Sequence, residues 1–177
     1  MMKLRNKIAF IAMTFALLTV VTACEEDGYG DYDAGGGATE ALNGEWYITI
    51  SDEASGDVYV EHAYHKLYDS NDTLMISDRV PGADAMSTDP SDFTGWMLET
   101  KLQSDVKNLT FSSSNSDNIA DGSLVTITEG KIIKNGGRST SGVVVDSIYF
   151  KAVFDYEPTQ TLIYAGHKRT GFEEDEH

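Results

Sequence analysis

From residue 44 onward apolar side chains return at every second position, the repeat of a strand with one buried face rather than the 3.6 spacing of a helix. Trp46, Ile48 and Ile50 alternate with Tyr47, Thr49 and Ser51. Val58, Val60, His62 and Tyr64 alternate with Tyr59, Glu61, Ala63 and His65. Leu74 and Ile76 make a short third run. Trp96, Leu98 and Leu102 alternate with Glu99, Lys101 and Gln103. Leu109 and Phe111 follow a turn expected near Ser104 and Asp105. Residues 123–133 form a sixth run around Val125, Ile127 and Ile132. A seventh, 143–155, sets Ile148, Phe150, Ala152 and Phe154 on one face, and 160–167 is the eighth.

Polar and glycine-containing stretches punctuate these runs at 55–57, 70–72, 112–118, 134–137 and 157–159. No segment carries a long amphipathic helix, and 79–93, with two prolines, has room for one short helical turn at most. Eight short strands in succession, without helical crossovers, predict an all-β, antiparallel domain. A closed eight-stranded up-and-down barrel is favoured over a sandwich, because closure removes the edges on which sheets aggregate. An eight-stranded barrel has an interior just wide enough for side chains or one small ligand.

Composition narrows the function. The 177 residues suit about one domain. Acidic residues number 29 against 13 basic ones, for a net charge of −16, which excludes a binder of nucleic-acid phosphates. One cysteine excludes an intramolecular disulfide and a cysteine-rich zinc site. With 41% hydrophobic residues the chain is not a disordered polymer. No cofactor motif is present.

The first 23 residues carry an address. Three basic residues within 1–7 precede an uncharged apolar run from Ile8 to Ala23, the layout of a secretory signal and short for a membrane span of about 20 residues. The run ends in Val21-Thr22-Ala23-Cys24, which resembles a bacterial lipobox. That resemblance implies lipidation of Cys24 and anchoring by several acyl chains, each buried CH₂ contributing about 0.8 kcal/mol. Glu25, Glu26 and Asp27 resemble the acidic export signal of surface lipoproteins, which implies an outer-membrane, outward-facing location. Residues 24–41 read as an acidic, glycine-rich tether and 42–177 as the barrel domain.

Asn43-Gly44-Glu45-Trp46-Tyr47-Ile48 opens the first strand, and Gly166 to Phe172 closes the last with Lys168 and Arg169. Together with the lipobox and the acidic tether, these segments resemble the calycin-like lipid-binding lipoprotein family of Bacteroidota, over about 24–177. The resemblance implies a lipocalin-like barrel closed by a basic residue packed over Trp46, with Arg169 in that role. It also implies a small hydrophobic ligand, an outer-membrane lipid anchor and a place beside surface uptake machinery. A hydrolytic activity is attributed to that family as well.

The inward positions Trp96, Leu98, Phe111, Phe150 and Phe154 are the candidates for an apolar ligand lining; the same side chains serve equally well as a filled core. The loop between Arg79 and Gly95 is long enough to act as a lid. Tyr59, Tyr68, Tyr149, Tyr156 and Phe172 are candidates for an exposed aromatic platform, the feature expected of a glycan- or partner-binding protein with a filled barrel. A hydrolase is the least supported class. No Gly-x-Ser-x-Gly elbow occurs, and His62 and His65 fall on opposite strand faces, so they make no metal pair.

Overall fold

The computed structural model describes residues 37–176. The expected signal, Cys24 and most of the tether lie outside the described residues. Eight strands follow in order: β1 (Gly44–Asp52), β2 (Val58–Ser70), β3 (Thr73–Ser77), β4 (Glu99–Asp105), β5 (Thr110–Asp117), β6 (Leu124–Arg138), β7 (Val144–Phe154) and β8 (Leu162–Lys168). Each pairs antiparallel with the next, and β8 pairs with β1, closing an up-and-down barrel. The alternation expected of β1 is present: Trp46, Ile48 and Ile50 are buried. So are Ile148, Phe150, Ala152 and Phe154 on β7.

Such a meander has two ends. The connections β1–β2, β3–β4, β5–β6 and β7–β8 share one, here the upper end. The remaining hairpins, the chain entering β1 and the chain leaving β8 share the lower end. At the lower end the last residues of the expected tether join the barrel. A single 3₁₀ turn, Glu40–Leu42, sets Leu42 in the core, and Thr39 is buried with its hydroxyl donating to Asp69 Oδ2 at 2.9 Å.

Within β2, β5 and β6 the strands depart from the pattern expected of the sequence. In β2, His62 takes a left-handed φ of 54° and shifts the register against β1. Such a bulge moves the inward set from one residue parity to the other. Val60 is then followed inward by Ala63, His65 and Leu67. The serine tract at 112–116, expected to be punctuation, is the body of β5. Ser113 faces inward there, its hydroxyl donating to Val125 O and accepting from Ile127 N. Residues 134–137, also expected to turn, continue β6 as far as Arg138, and the β6–β7 turn falls at 139–143 instead.

β3 is only five residues long and pairs with β2 over Lys66–Ser70 alone. The upper half of β2 is covered instead by the strap, residues 78–98. Thr94 Oγ1 donates to Tyr64 O at 2.6 Å and Thr94 N to Asp78 O at 2.9 Å. Arg79 stacks its guanidinium on Phe93 at 4.4 Å and pairs with Glu99 at 2.6 Å, while its Nη1 donates to Asp84 O and Ser87 O. The expected short helical turn is Pro90–Asp92, capped by the Asp89 carboxylate on Ser91 N.

Candidate functional site

The interior of the barrel is packed. Ile48, Ile50, Ile76, Leu98, Ile127, Phe150 and Tyr164 expose no surface, and Phe150 stacks on Tyr164 at 4.4 Å with 15° between the rings. Phe111 meets Phe150 edge-on at 5.7 Å. Of the residues expected to form an apolar lining, Leu98, Phe111, Phe150 and Phe154 therefore sit in this core.

Trp96 does not. Met97 adopts a left-handed φ of 54°, which breaks the alternation ahead of β4 and places Trp96 in the strap at the upper end. There it is half-buried against Tyr59 from β2, at 5.3 Å between ring centres. Its indole N–H donates to the hydroxyl of Tyr156, from the β7–β8 turn, at 3.0 Å. Tyr156 in turn stacks on Phe154, the last core ring of β7. Tyr59 is 43% exposed and Tyr156 54%, so three rings from three elements form an open aromatic mouth over a closed interior. Gln160 Nε2 links Tyr59 OH at 3.1 Å to Asp52 Oδ2 at 3.3 Å along its rim. Beside Trp96 lies a recess of about 410 Å³, walled also by Pro90, Gly95, Met97, Asp121 and Tyr156. Tyr59 and Tyr156 were legible as exposed aromatics; their meeting with Trp96 was not.

Under the mouth lies a buried polar cluster that sequence reasoning missed. His65, Asp78 and Tyr164 expose no surface, and His65 Nε2, Asp78 Oδ2 and Tyr164 OH have no hydrogen-bond partner among the described residues. His65 meets Tyr164 edge-on at 5.7 Å. Gly95 allows this crowding. A Cβ there would stand 2.7 Å from Asp78 Oδ2, 3.1 Å from Ile50 Cδ1 and 3.2 Å from His65 Cε1. Burial pushes the Asp78 carboxyl up to about 7, against the pull of amides including that of Leu98, which donates to Oδ1 at 2.8 Å. Burial likewise pushes His65 down to about 4. Near neutral pH the imidazole is therefore uncharged. A carboxyl between Ser77 and Arg79, at the end of a short strand, carries no sequence signal of burial.

The lower end differs. Arg169 sends its guanidinium to Glu45 and Glu176, at 2.6 and 2.8 Å, and not over the Trp46 ring as the resemblance implied. The basic residue beside Trp46 is Lys168, its partner across β1 and β8. A Cβ at Gly44 would meet Lys168 Cε at 3.3 Å and the indole at 3.4 Å. Tyr47 donates to Glu176 and Tyr64 to Glu45. Burial works against the Glu45 carboxylate, but Arg169 and Tyr64 outweigh it and hold its pKa below the ordinary value. Burial first and Glu45 second push the Tyr64 phenol well up. Groups moved away from neutrality in this way are poor proton-transfer agents at pH 7.

A further recess, about 600 Å³, is an open groove on the wall of β4, β5 and β6, with Phe111 beside polar residues such as Gln103, Glu129 and Lys131. Among the described residues no group of three His, Cys, Asp or Glu is placed to hold a metal. No match is found among curated proteins. The sequence profile of one family, described as "lipid-binding putative hydrolase", matches residues 31–173. A match over that share of the chain, on a closed β-barrel, makes this protein a member of the lipid-binding putative hydrolase family.

Proposed function

We propose that the protein is a lipoprotein, anchored in the outer membrane through Cys24, that binds a small hydrophobic ligand without chemical turnover. The ligand sits on the aromatic mouth of Tyr59, Trp96 and Tyr156 rather than inside the barrel. The family assignment supports lipid binding. The observation that carries the location is that Tyr59 and Tyr156 stay exposed and Trp96 half-buried above a packed, buried interior. Rings of this size contribute large apolar areas at about 25 cal/mol per Å². The non-catalytic reading rests on the titratable groups. The lower network is held away from neutrality, and Asp78, which titrates near it, is sealed from substrate.

Titration with the neutral apolar probe N-phenyl-1-naphthylamine tests the site. Saturable binding that Trp96→Ala abolishes supports it; binding unchanged by Trp96→Ala refutes it. A filled barrel under an aromatic platform also favours a glycan ligand, and saturation by a neutral oligosaccharide with no response to the apolar probe would select that reading. The anchor has its own test. Cys24→Ser should release the protein from membranes, and retention after a salt wash would contradict the lipobox.

A further inference from the structure

We propose that the recess beside Trp96 binds an organic cation, an alkylated ammonium group carried by the ligand of the mouth. The inference deepens the mouth reading and rests on its placing of the ligand at Trp96.

The walls are built for such a group. Trp96 is pinned by two neighbours: Tyr156 takes its N–H, and Tyr59 packs against its ring with 32° between the planes. An indole face is the strongest aromatic partner for a cation, and an alkylated ammonium, which gives up water easily, gains most from it. With the N–H already used, Trp96 itself has no donor left for a neutral polar ligand such as a sugar. Its volume, about 410 Å³, lies within the ordinary range for small-molecule sites.

The charge of the recess has one sign. Among the described residues Asp121 is its only charged wall residue. Its carboxylate is fixed at Oδ1 by Ser123 N, Ser123 Oγ and Asn118 Nδ2. Asp155, held by Leu124 N, lies close enough for its charge, with that of Asp121, to add to burial in raising the Tyr156 phenol. The cations of the neighbouring walls are committed elsewhere, Lys151 to Glu53 and Glu129, and Arg79 to Glu99. A net charge of −16 adds a long-range field that draws in cations and repels anionic amphiphiles such as fatty acids.

The test is calorimetric titration of the full chain with choline and with its neutral carbon isostere, 3,3-dimethylbutan-1-ol. Choline should bind about tenfold tighter than the isostere. Asp121→Asn, which keeps the Oδ1 acceptor and removes the charge, should lose most of that preference. Trp96→Ala should lose choline binding. Lysophosphatidylcholine binding tighter than choline identifies a lipid headgroup as the source, and equal affinities identify a free cation. Equal affinity for choline and the isostere overturns the proposal, as does no choline binding. Should N-phenyl-1-naphthylamine bind through Trp96 while choline does not, the cation site falls and the apolar mouth stands. Should choline bind through Trp96 while the probe does not, the cation site stands and the apolar mouth falls.

Discussion

The two ends of the barrel solve the same problem in different ways. The lower end is closed by the chain itself. Leu42 plugs the core, and Asp175, 1% exposed, takes Ser141 N at 2.6 Å and Thr170 Oγ1 at 2.8 Å, tying the C-terminal tail to the β6–β7 turn. Arg169 locks Glu45 to Glu176. The upper end is closed one layer deeper, by Gly95 seated on Ile50, His65 and Asp78, and above that layer it leaves Trp96, Tyr59 and Tyr156 open. A barrel needs both ends shut, and it does not need rings on display at either. At the lower end Phe172 is 58% exposed, but only the upper mouth brings Tyr59, Trp96 and Tyr156 into contact, and that meeting of rings is the basis for proposing a ligand site there.

The two tryptophans give the largest contrast. Trp46, 1% exposed in the core, should cost about 3–5 kcal/mol of unfolding free energy when replaced by Ala, whereas Trp96→Ala should cost about 1 kcal/mol and remove ligand binding. Urea unfolding of both variants measures this, and comparable losses would make Trp96 a core residue.

The layer beneath the mouth predicts a pH signature. The Asp78 carboxyl titrates near 7 in the folded chain and near 3.8 when unfolded, so between these values the folded state holds the extra proton and stability falls as pH rises. His65 opposes it: with a folded value near 4 against 6.5, the unfolded state holds the extra proton and stability rises with pH across that window. In the native chain the two slopes nearly offset. Asp78→Asn leaves only the histidine slope. The variant should therefore gain stability relative to the native chain from pH 4 to pH 7, by up to about 4 kcal/mol. Unfolding curves at pH 4, 5.5 and 7 test this by their trend; a difference constant with pH would show that Asp78 does not titrate there.

The smallest effect belongs to the lower seal. Arg169 is about one-third exposed, so solvent screens its pairs, and Arg169→Gln should cost about 1 kcal/mol. Apolar-probe affinity should stay unchanged. A loss of probe binding in this variant would mean that the two ends are coupled.

The sequence made some of this barrel plain and hid the rest for physical reasons. β1 and β7 were legible because every second residue is large and apolar, so burial alone sets their faces. β5 was hidden because Ser112 to Ser116 looks like a turn; its partners across the barrel supply the hydrogen bonds that make it a strand. Gly136 and Gly137 likewise look like a turn, yet Ser147 and His167 lie too near to leave easy room for side chains, and the strand runs through them. Trp96 was expected to face inward with Leu98 but lies in the strap at the upper end. Its alternation with Leu98 is broken by the backbone of Met97, which no side-chain pattern reveals. The Asp78, His65 and Tyr164 cluster brings together a residue just past the end of β3 and one each from within β2 and β8, so only the fold shows it.

The most direct test of the central claim is amide and indole chemical-shift mapping of the full chain with saturating lysophosphatidylcholine. The largest changes should fall on Tyr59, the Trp96 indole N–H and Tyr156, while Ile48, Ile127 and Phe150 stay in place. Changes centred on those core residues, or on Phe111 and Gly130 in the side groove, would contradict a ligand held at the mouth.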